Sequence, residues 1–350
     1  MRQGVGGLVQ LAGLLALCGP LQAEVPTRSE VPIREVVLSD GERRYTIPIT
    51  VGGTAIEAGL DTGSTGLRIL PGTLAASDAT GEGGSDHYSY GAGTEFQGEV
   101  GKGQLAIGNL TGSSTLQLIR SVGCVSANPH CPASRVPIEK FGIQGSGLPG
   151  EGFRAIIGVN MADADVASPL PAIGAQHWIV ELPRPGGGAA GKLILNPSDE
   201  EMKAYVRLPI LTAFSAQHGG FHDAVEGCLI NAGTKEKSCG ALVMDTGAPG
   251  IRLANGALGR KPWDNGTAAA LALYDKGQPR AVEYFTVGSR AHASHLEFVE
   301  ESQMRGVAIY GGLSPYFAFD VLYDPAGRQL GVKPRDPAAD APRGQLVSGN

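Results

Sequence analysis

The chain's 350 residues include 53 glycines, about twice the ordinary share, while 18% are charged and 42% apolar. That composition excludes a long-helix bundle or coiled coil, since each interior glycine costs a helix roughly 0.5–1 kcal/mol relative to alanine. A net charge of −6 with no Lys/Arg cluster argues against nucleic acid or an anionic membrane surface as partner.

At the N-terminus, Arg2 precedes an uncharged run whose densest part, Leu11 to Cys18, is too short to span a bilayer. With Pro20 and the Leu21-Gln22-Ala23 ending, residues 1–23 read as a secretory signal, which places the mature chain in the periplasm or outside the cell. Residues 24–35 form a short N-terminal segment before the first strand patterns. Tyr45, Ile47, Ile49 and Val51 alternate with polar residues and Pro48, then Gly52-Gly53 turns the chain, so a strand is expected, with Pro48 marking it as an edge. Trp178 to Leu182 and Lys192 to Asn196 read as strands around the Gly186–Gly188 turn. The polar stretch from Pro197 marks a boundary between a lobe over 36–196 and a lobe over 197–335, and residues 336–350 read as a disordered tail. Removal of the signal leaves four cysteines. Short-range pairing, Cys124–Cys131 and Cys228–Cys239, is the expected connectivity in an exported chain.

The chain also repeats itself. Asp61-Thr62-Gly63-Ser64-Thr65-Gly66-Leu67-Arg68-Ile69 recurs as Asp245-Thr246-Gly247-Ala248-Pro249-Gly250-Ile251-Arg252-Leu253, each copy after an apolar run. Each is followed by a second echo, Ala155-Ile156-Ile157-Gly158 and Ala308-Ile309-Tyr310-Gly311. Two related halves of one all-β fold account for both echoes. A carboxylate at the tip of a tight turn can face its pseudo-symmetric copy, and two carboxyls sharing a site cannot both ionise readily. One holds a proton and the other a charge, which suits water activation. Asp61 and Asp245 are the candidate pair. Gly63 and Gly247 let the backbone turn beneath each carboxylate, Thr62 and Thr246 can tie the two loops together, and Ser64 can donate to the first carboxylate while Ala248 cannot.

These motifs resemble the pepsin-like aspartic proteases, over roughly Tyr45 to Pro334. Tyr90-Gly91-Ala92-Gly93 is similar to that family's flap, with Tyr90, Gly91 and Gly93 as the residues that close over a substrate, and Phe319 to Pro334 resembles its closing strands. The resemblance implies a bilobal fold with a cleft between pseudo-symmetric lobes and a monomeric endopeptidase that needs no cofactor or metal. It also implies a peptide or protein substrate and inhibition by pepstatin-type compounds. The alternative is a non-catalytic peptide-binding or inhibitor-like module on the same fold. Arg68 stands where the family places a Trp beneath the flap Tyr, which sets it to stack on Tyr90. Arg252, at the equivalent place in the second half, reads as a strand residue inherited with the repeat. Gly312 replaces an acidic residue common in the family. These departures describe a divergent branch, as in bacterial members.

Overall fold

A computed structural model of the chain describes residues 26–212, 223–254, 263–301 and 306–335, with residues 1, 4, 261 and 304. The 1–23 segment read as a signal, apart from residues 1 and 4, and the 336–350 tail lie outside the described residues. Strands dominate, as the glycine-rich and turn-rich composition requires. The first half comprises β1 (Ser29–Val37), β2 (Arg43–Val51), β3 (Thr54–Asp61), β4 (Thr65–Ile69), β5 (Ala79–Ser89), β6 (Thr94–Ile107), β7 (Leu110–Cys124) and β8 (Ala155–Val159). The segment between the halves supplies β9 (Trp178–Glu181), β10 (Gly191–Leu195) and β11 (Val206–Pro209). The second half contains β12 (Val225–Asn231), β13 (Lys237–Met244), β14 (Ile251–Ala254), β15 (Ala268–Asp275), β16 (Gln278–Thr286), β17 (Leu296–Val299), β18 (Ile309–Gly312), β19 (Phe319–Asp324) and β20 (Gln329–Pro334).

Among the described residues the strands form two sheets. One has 13 strands in the order β11-β20-β19-β9-β10-β1-β2-β3-β8-β4-β7-β6-β5, the other 7 in the order β16-β15-β12-β13-β18-β14-β17. The larger sheet joins the halves, because β9 pairs on one side with β10 and on the other with β19, from the end of the chain. The repeat has a topological meaning. Strands β3 and β4 flank the first Asp-Thr-Gly turn without pairing with each other, and β8 passes between them, parallel to one and antiparallel to the other. Strand β18 does the same between β13 and β14. The aliphatic-Gly echoes are these crossing strands; β8 is buried on both faces and therefore apolar without alternation, and β18 is buried but for the half-buried Tyr310.

The second echo is displaced by one residue from its expected alignment. Gly158 packs against the Ser64 and Thr65 backbone, where an added Cβ would lie 2.6 Å from Ser64 O. Its counterpart is Gly312 rather than Gly311, since a Cβ on Gly312 would lie 2.2 Å from Gly250 O, and the β13–β18 register shifts there by a bulge. An acidic side chain at 312 has no room beside that loop.

Other departures from the sequence reading have local causes. Pro48 lies within β2, which is interior. Its missing N–H falls where β2 has no second partner, between the β1 pairing that ends at Thr46 and the β6 pairing that begins at Thr50. The first strand starts at Ser29, inside the segment set apart as 24–35, and alternates buried Val31 and Ile33 with exposed residues. Beyond Pro197 the chain forms a short helix, Asp199–Lys203, capped reciprocally by Ser198 and Glu201.

One buried acid makes the fold sensitive to pH. Glu283 on β16 accepts a 2.6 Å hydrogen bond from Ser314 Oγ, and its second carboxyl oxygen has no partner. Burial, opposed by that bond, raises its pKa from 4.5 to about 7. Between these values the folded state binds the proton that the unfolded chain releases, so stability falls as pH rises through the window and the loss is complete above about 7. Glu283→Gln keeps the shape of the protonated group without the titration. The variant is expected to match the wild type near the lower value and to exceed it above the upper one, by on the order of 3 kcal/mol. Urea unfolding across the window checks this, and parallel pH profiles for the two proteins contradict it.

Candidate active site

The two Asp-Thr-Gly turns meet at the junction of the halves, and their threonines interlock. Thr62 N donates to Thr246 Oγ1 at 3.0 Å, and Thr246 N donates to Thr62 Oγ1 at 2.9 Å. Each hydroxyl then donates to the backbone of the opposite strand, Thr62 Oγ1 to Met244 O at 3.2 Å and Thr246 Oγ1 to Leu60 O at 2.8 Å. Both threonines are completely buried, so these bonds form out of competition with water. Only a side chain that donates and accepts from one short branch can serve here, which accounts for a hydroxyl residue at both places.

This interlock brings Asp61 and Asp245 together. A Cβ on Gly63 would lie 2.2 Å from Asp245 Cγ, and one on Gly247 would lie 2.7 Å from Asp61 Oδ1, so each carboxylate rests on the glycine of the opposite loop. Gly63 N donates to Asp61 Oδ1 at 2.9 Å and Gly247 N to Asp245 Oδ1 at 2.7 Å. Ser64 Oγ donates to Asp61 Oδ2 at 2.8 Å, whereas Ala248 offers Asp245 no hydroxyl. Enclosure by protein raises both carboxyls. For Asp61 that rise is opposed by the hydrogen bonds from Ser64 and Gly63 and by the Arg68 charge. For Asp245 the Asp61 charge adds to enclosure, and the group stands well above the usual carboxylate range.

Further residues support the pair that no local sequence pattern indicated. Tyr316, in the short helix Ser314–Ala318, donates to Thr62 Oγ1 at 2.7 Å and meets Tyr323 hydroxyl to hydroxyl at 2.6 Å. Asn160 Nδ2 donates to Thr62 O at 3.2 Å, and Asn160 N donates to Ser64 O at 3.0 Å. An isolated Tyr or Asn has no signature, and only the 254-residue separation closed by folding reveals the first of these links.

Tyr90, Gly91 and Gly93 lie in the turn joining β5 and β6, closed by Gly93 N donating to Tyr90 O at 2.8 Å. Tyr90 packs edge-on against Tyr88 and Phe96. Arg68 is buried, donates to Thr65 O, and places its guanidinium over the ring of Tyr88, 3.5 Å from the centroid. The expected partner was Tyr90. Tyr88, on β5, takes the cation instead, and Tyr90, in the turn beyond the strand's end, packs against the Tyr88 ring. The turn is held on two sides. Asn128 Nδ2 donates to Ala92 O and Val125 N to Gly93 O, both from the loop closed by the Cys124–Cys131 disulfide. From the second half, Arg252 on β14 donates through Nη1 to Gly91 O at 3.2 Å, while its Nε is paired with Glu297 at 3.1 Å. Arg252 is therefore more than a strand residue of the repeat, since it bridges to the turn. The other disulfide, Cys228–Cys239, joins facing residues of β12 and β13.

No family model matches the chain. A stretch of 84 residues is 34% identical to aspergillopepsin-1 of Aspergillus clavatus, covering 20% of this chain. The match spans 21% of that protein's length. The fold is similar to that of an aspartic proteinase from Irpex lacteus, with a TM-score of 0.61 at 14% identity over 88% of this chain and 97% of the other. The chain thus has the bilobal all-β fold of the pepsin-like aspartic proteases.

The Arg252 bridge is directly testable. Arg252→Ala removes the Gly91 contact and leaves the two tethers to the disulfide loop in place. Amide exchange at residues 90–93 is expected to quicken several-fold, while Thr62 and Thr246 amides keep their protection and global stability stays within ~0.5 kcal/mol. Unchanged exchange at the turn contradicts a bridging role.

Proposed function

We propose that the chain is an exported aspartic endopeptidase that binds a peptide between its two lobes and hydrolyses it with a water activated by Asp61 and Asp245. The interlocked turns carry this reading, because they hold two carboxyls in one enclosed site and give them unequal surroundings. The pair titrates as a unit. Within it, Ser64 and Gly63 favour the charged form at Asp61, while Asp245 lacks a hydroxyl donor and faces the Asp61 charge. Asp61 then takes a proton from the water as it attacks the peptide carbonyl. Asp245 gives its proton to the developing oxyanion; when the gem-diol collapses and the C–N bond breaks, Asp61 passes the proton it took from the water to the leaving amine and Asp245 takes back a hydroxyl proton, which restores the dyad. The turn at Tyr90, Gly91 and Gly93 covers the bound chain, and the lobes over 36–196 and 197–335 form the walls. The two disulfides suit an oxidising compartment, the periplasm or the exterior. A monomer is sufficient for this chemistry, since one chain supplies both aspartates.

The rival reading, a non-catalytic peptide-binding or inhibitor-like module, predicts binding without turnover. Incubation with a denatured protein from acidic to neutral pH, with and without pepstatin, separates the two. Asp61→Asn and Asp245→Asn are each expected to lower cleavage by at least about 10²–10⁴-fold with the fold retained. Activity near wild type in the double variant contradicts the assignment. The unequal loops give a second test. Ala248→Ser adds a donor to Asp245, worth roughly 1.5–3 kcal/mol at most for a bond to a charged group. The alkaline limb of kcat/KM, set by loss of the Asp245 proton, is expected to move down by about one to two pH units, and an unchanged or raised limb contradicts the role given to position 248.

A further inference from the structure

Gln144 combines a costly backbone with an unpaired side chain beside the dyad. Its φ is 62°, in the left-handed region that a residue with a Cβ adopts only when its surroundings impose it. Those surroundings are well defined. Ile143 and Phe153 exchange two backbone hydrogen bonds of 2.9 Å next to it, and Arg44 Nε donates to Gln144 O at 3.1 Å. Arg44 is itself buried and paired with Glu42 at 2.9 Å. The result is a braced loop that projects one carboxamide inward.

That carboxamide lies between the two catalytic turns. A Cβ on Gly59, two residues before Asp61, would be 3.0 Å from Gln144 Oε1. A Cβ on Gly247, two residues after Asp245, would be 2.9 Å from Gln144 Nε2 and 2.7 Å from Asp61 Oδ1. The amide and the Asp61 carboxylate therefore flank the same spot. Both amide atoms are buried, and neither has a hydrogen-bond partner within the protein. Buried side-chain donors and acceptors are nearly always paired, and one left unpaired at a reactive site points to a partner that arrives with the ligand.

We infer that Gln144 is a specificity-determining residue whose carboxamide hydrogen-bonds the side chain of the peptide residue next to the scissile bond, so that the cleft selects Gln or Asn there over Leu or Phe. A primary carboxamide offers one acceptor and two donors, which another carboxamide matches in both directions. An apolar side chain in the same place leaves the donor and the acceptor buried without partners, the situation in which polar sites discriminate most strongly. This inference rests on the reading of the cleft as a peptide site.

The test uses matched peptides carrying Gln, Asn, Leu or Phe at the residues flanking the cleaved bond. The full-length protein is expected to favour Gln and Asn over Leu and Phe by tenfold or more in kcat/KM, and Gln144→Leu to remove or reverse that ranking. The wild-type ranking alone decides the matter if the variant does not fold. Binding of the same peptides to the Asp61→Asn protein, read by fluorescence anisotropy, separates recognition from chemistry. Preferential binding of the Gln peptides without cleavage by the wild type would leave Gln144 in its role and remove the proteolytic reading. Equal binding of Gln and Leu peptides, a uniform loss across all peptides in Gln144→Leu, or no binding of any peptide would overturn the inference.

Discussion

Two threonines, each donating a backbone N–H to the other's hydroxyl, are the constraint on which this structure depends. A carboxylate at a turn tip is ordinarily free to swing into water, and two of them in one enclosed site repel. The interlock removes that freedom by tying each turn to the backbone of the opposite strand. Because the bonds are fully buried, breaking one leaves an unsatisfied donor or acceptor, which costs about 1–3 kcal/mol per group. The crossing strands β8 and β18 brace each turn from behind, and glycine is required where each of them touches the turn's backbone.

On that symmetric frame the chemistry is asymmetric. Ser64 faces Asp61 and Ala248 faces Asp245, so a single hydroxyl distinguishes the carboxyls. The two arginines of the repeat have also diverged. Arg68 is buried beneath Tyr88, while Arg252 reaches from the second half to the Gly91 carbonyl. Pseudo-symmetric positions thus hold the β5–β6 hairpin in different ways, one by stacking on Tyr88 of its first strand and one by a hydrogen bond to its turn. The buried carboxyl of Glu283, its pKa raised to about 7 by burial, makes the fold more stable on the acidic side of that value than above it.

Much of this was legible in the sequence because it is written in local patterns. The duplicated Asp-Thr-Gly, the aliphatic runs before it and the aliphatic-Gly echoes after it specify turns and buried strands residue by residue. Paired cysteines at short spacing specify their own closure. The capping residues Ser198 and Glu201 carry a recognisable helix signal within a stretch that otherwise reads as a polar boundary. What was not legible depends on distant pairing. Nothing in the chain near Tyr316 shows that its hydroxyl reaches Thr62, and nothing near Arg252 shows the Gly91 carbonyl. Pro48 misled because a strand can be interior and still lack a neighbour for a few residues. Gln144 sits among glycines with no periodic pattern, and only the fold brings its amide to the dyad.

The interlocked turns hold two carboxyls whose proton affinities are raised and unequal. Carbon-13 titration of the carboxyl remaining in each single Asn variant tests this without reference to any substrate. Both carboxyls are expected to titrate above the ordinary aspartate value of about 3.9. Asp245, observed in Asp61→Asn, is expected to titrate above Asp61, observed in Asp245→Asn. Ordinary values for both, or the reverse order, would contradict it.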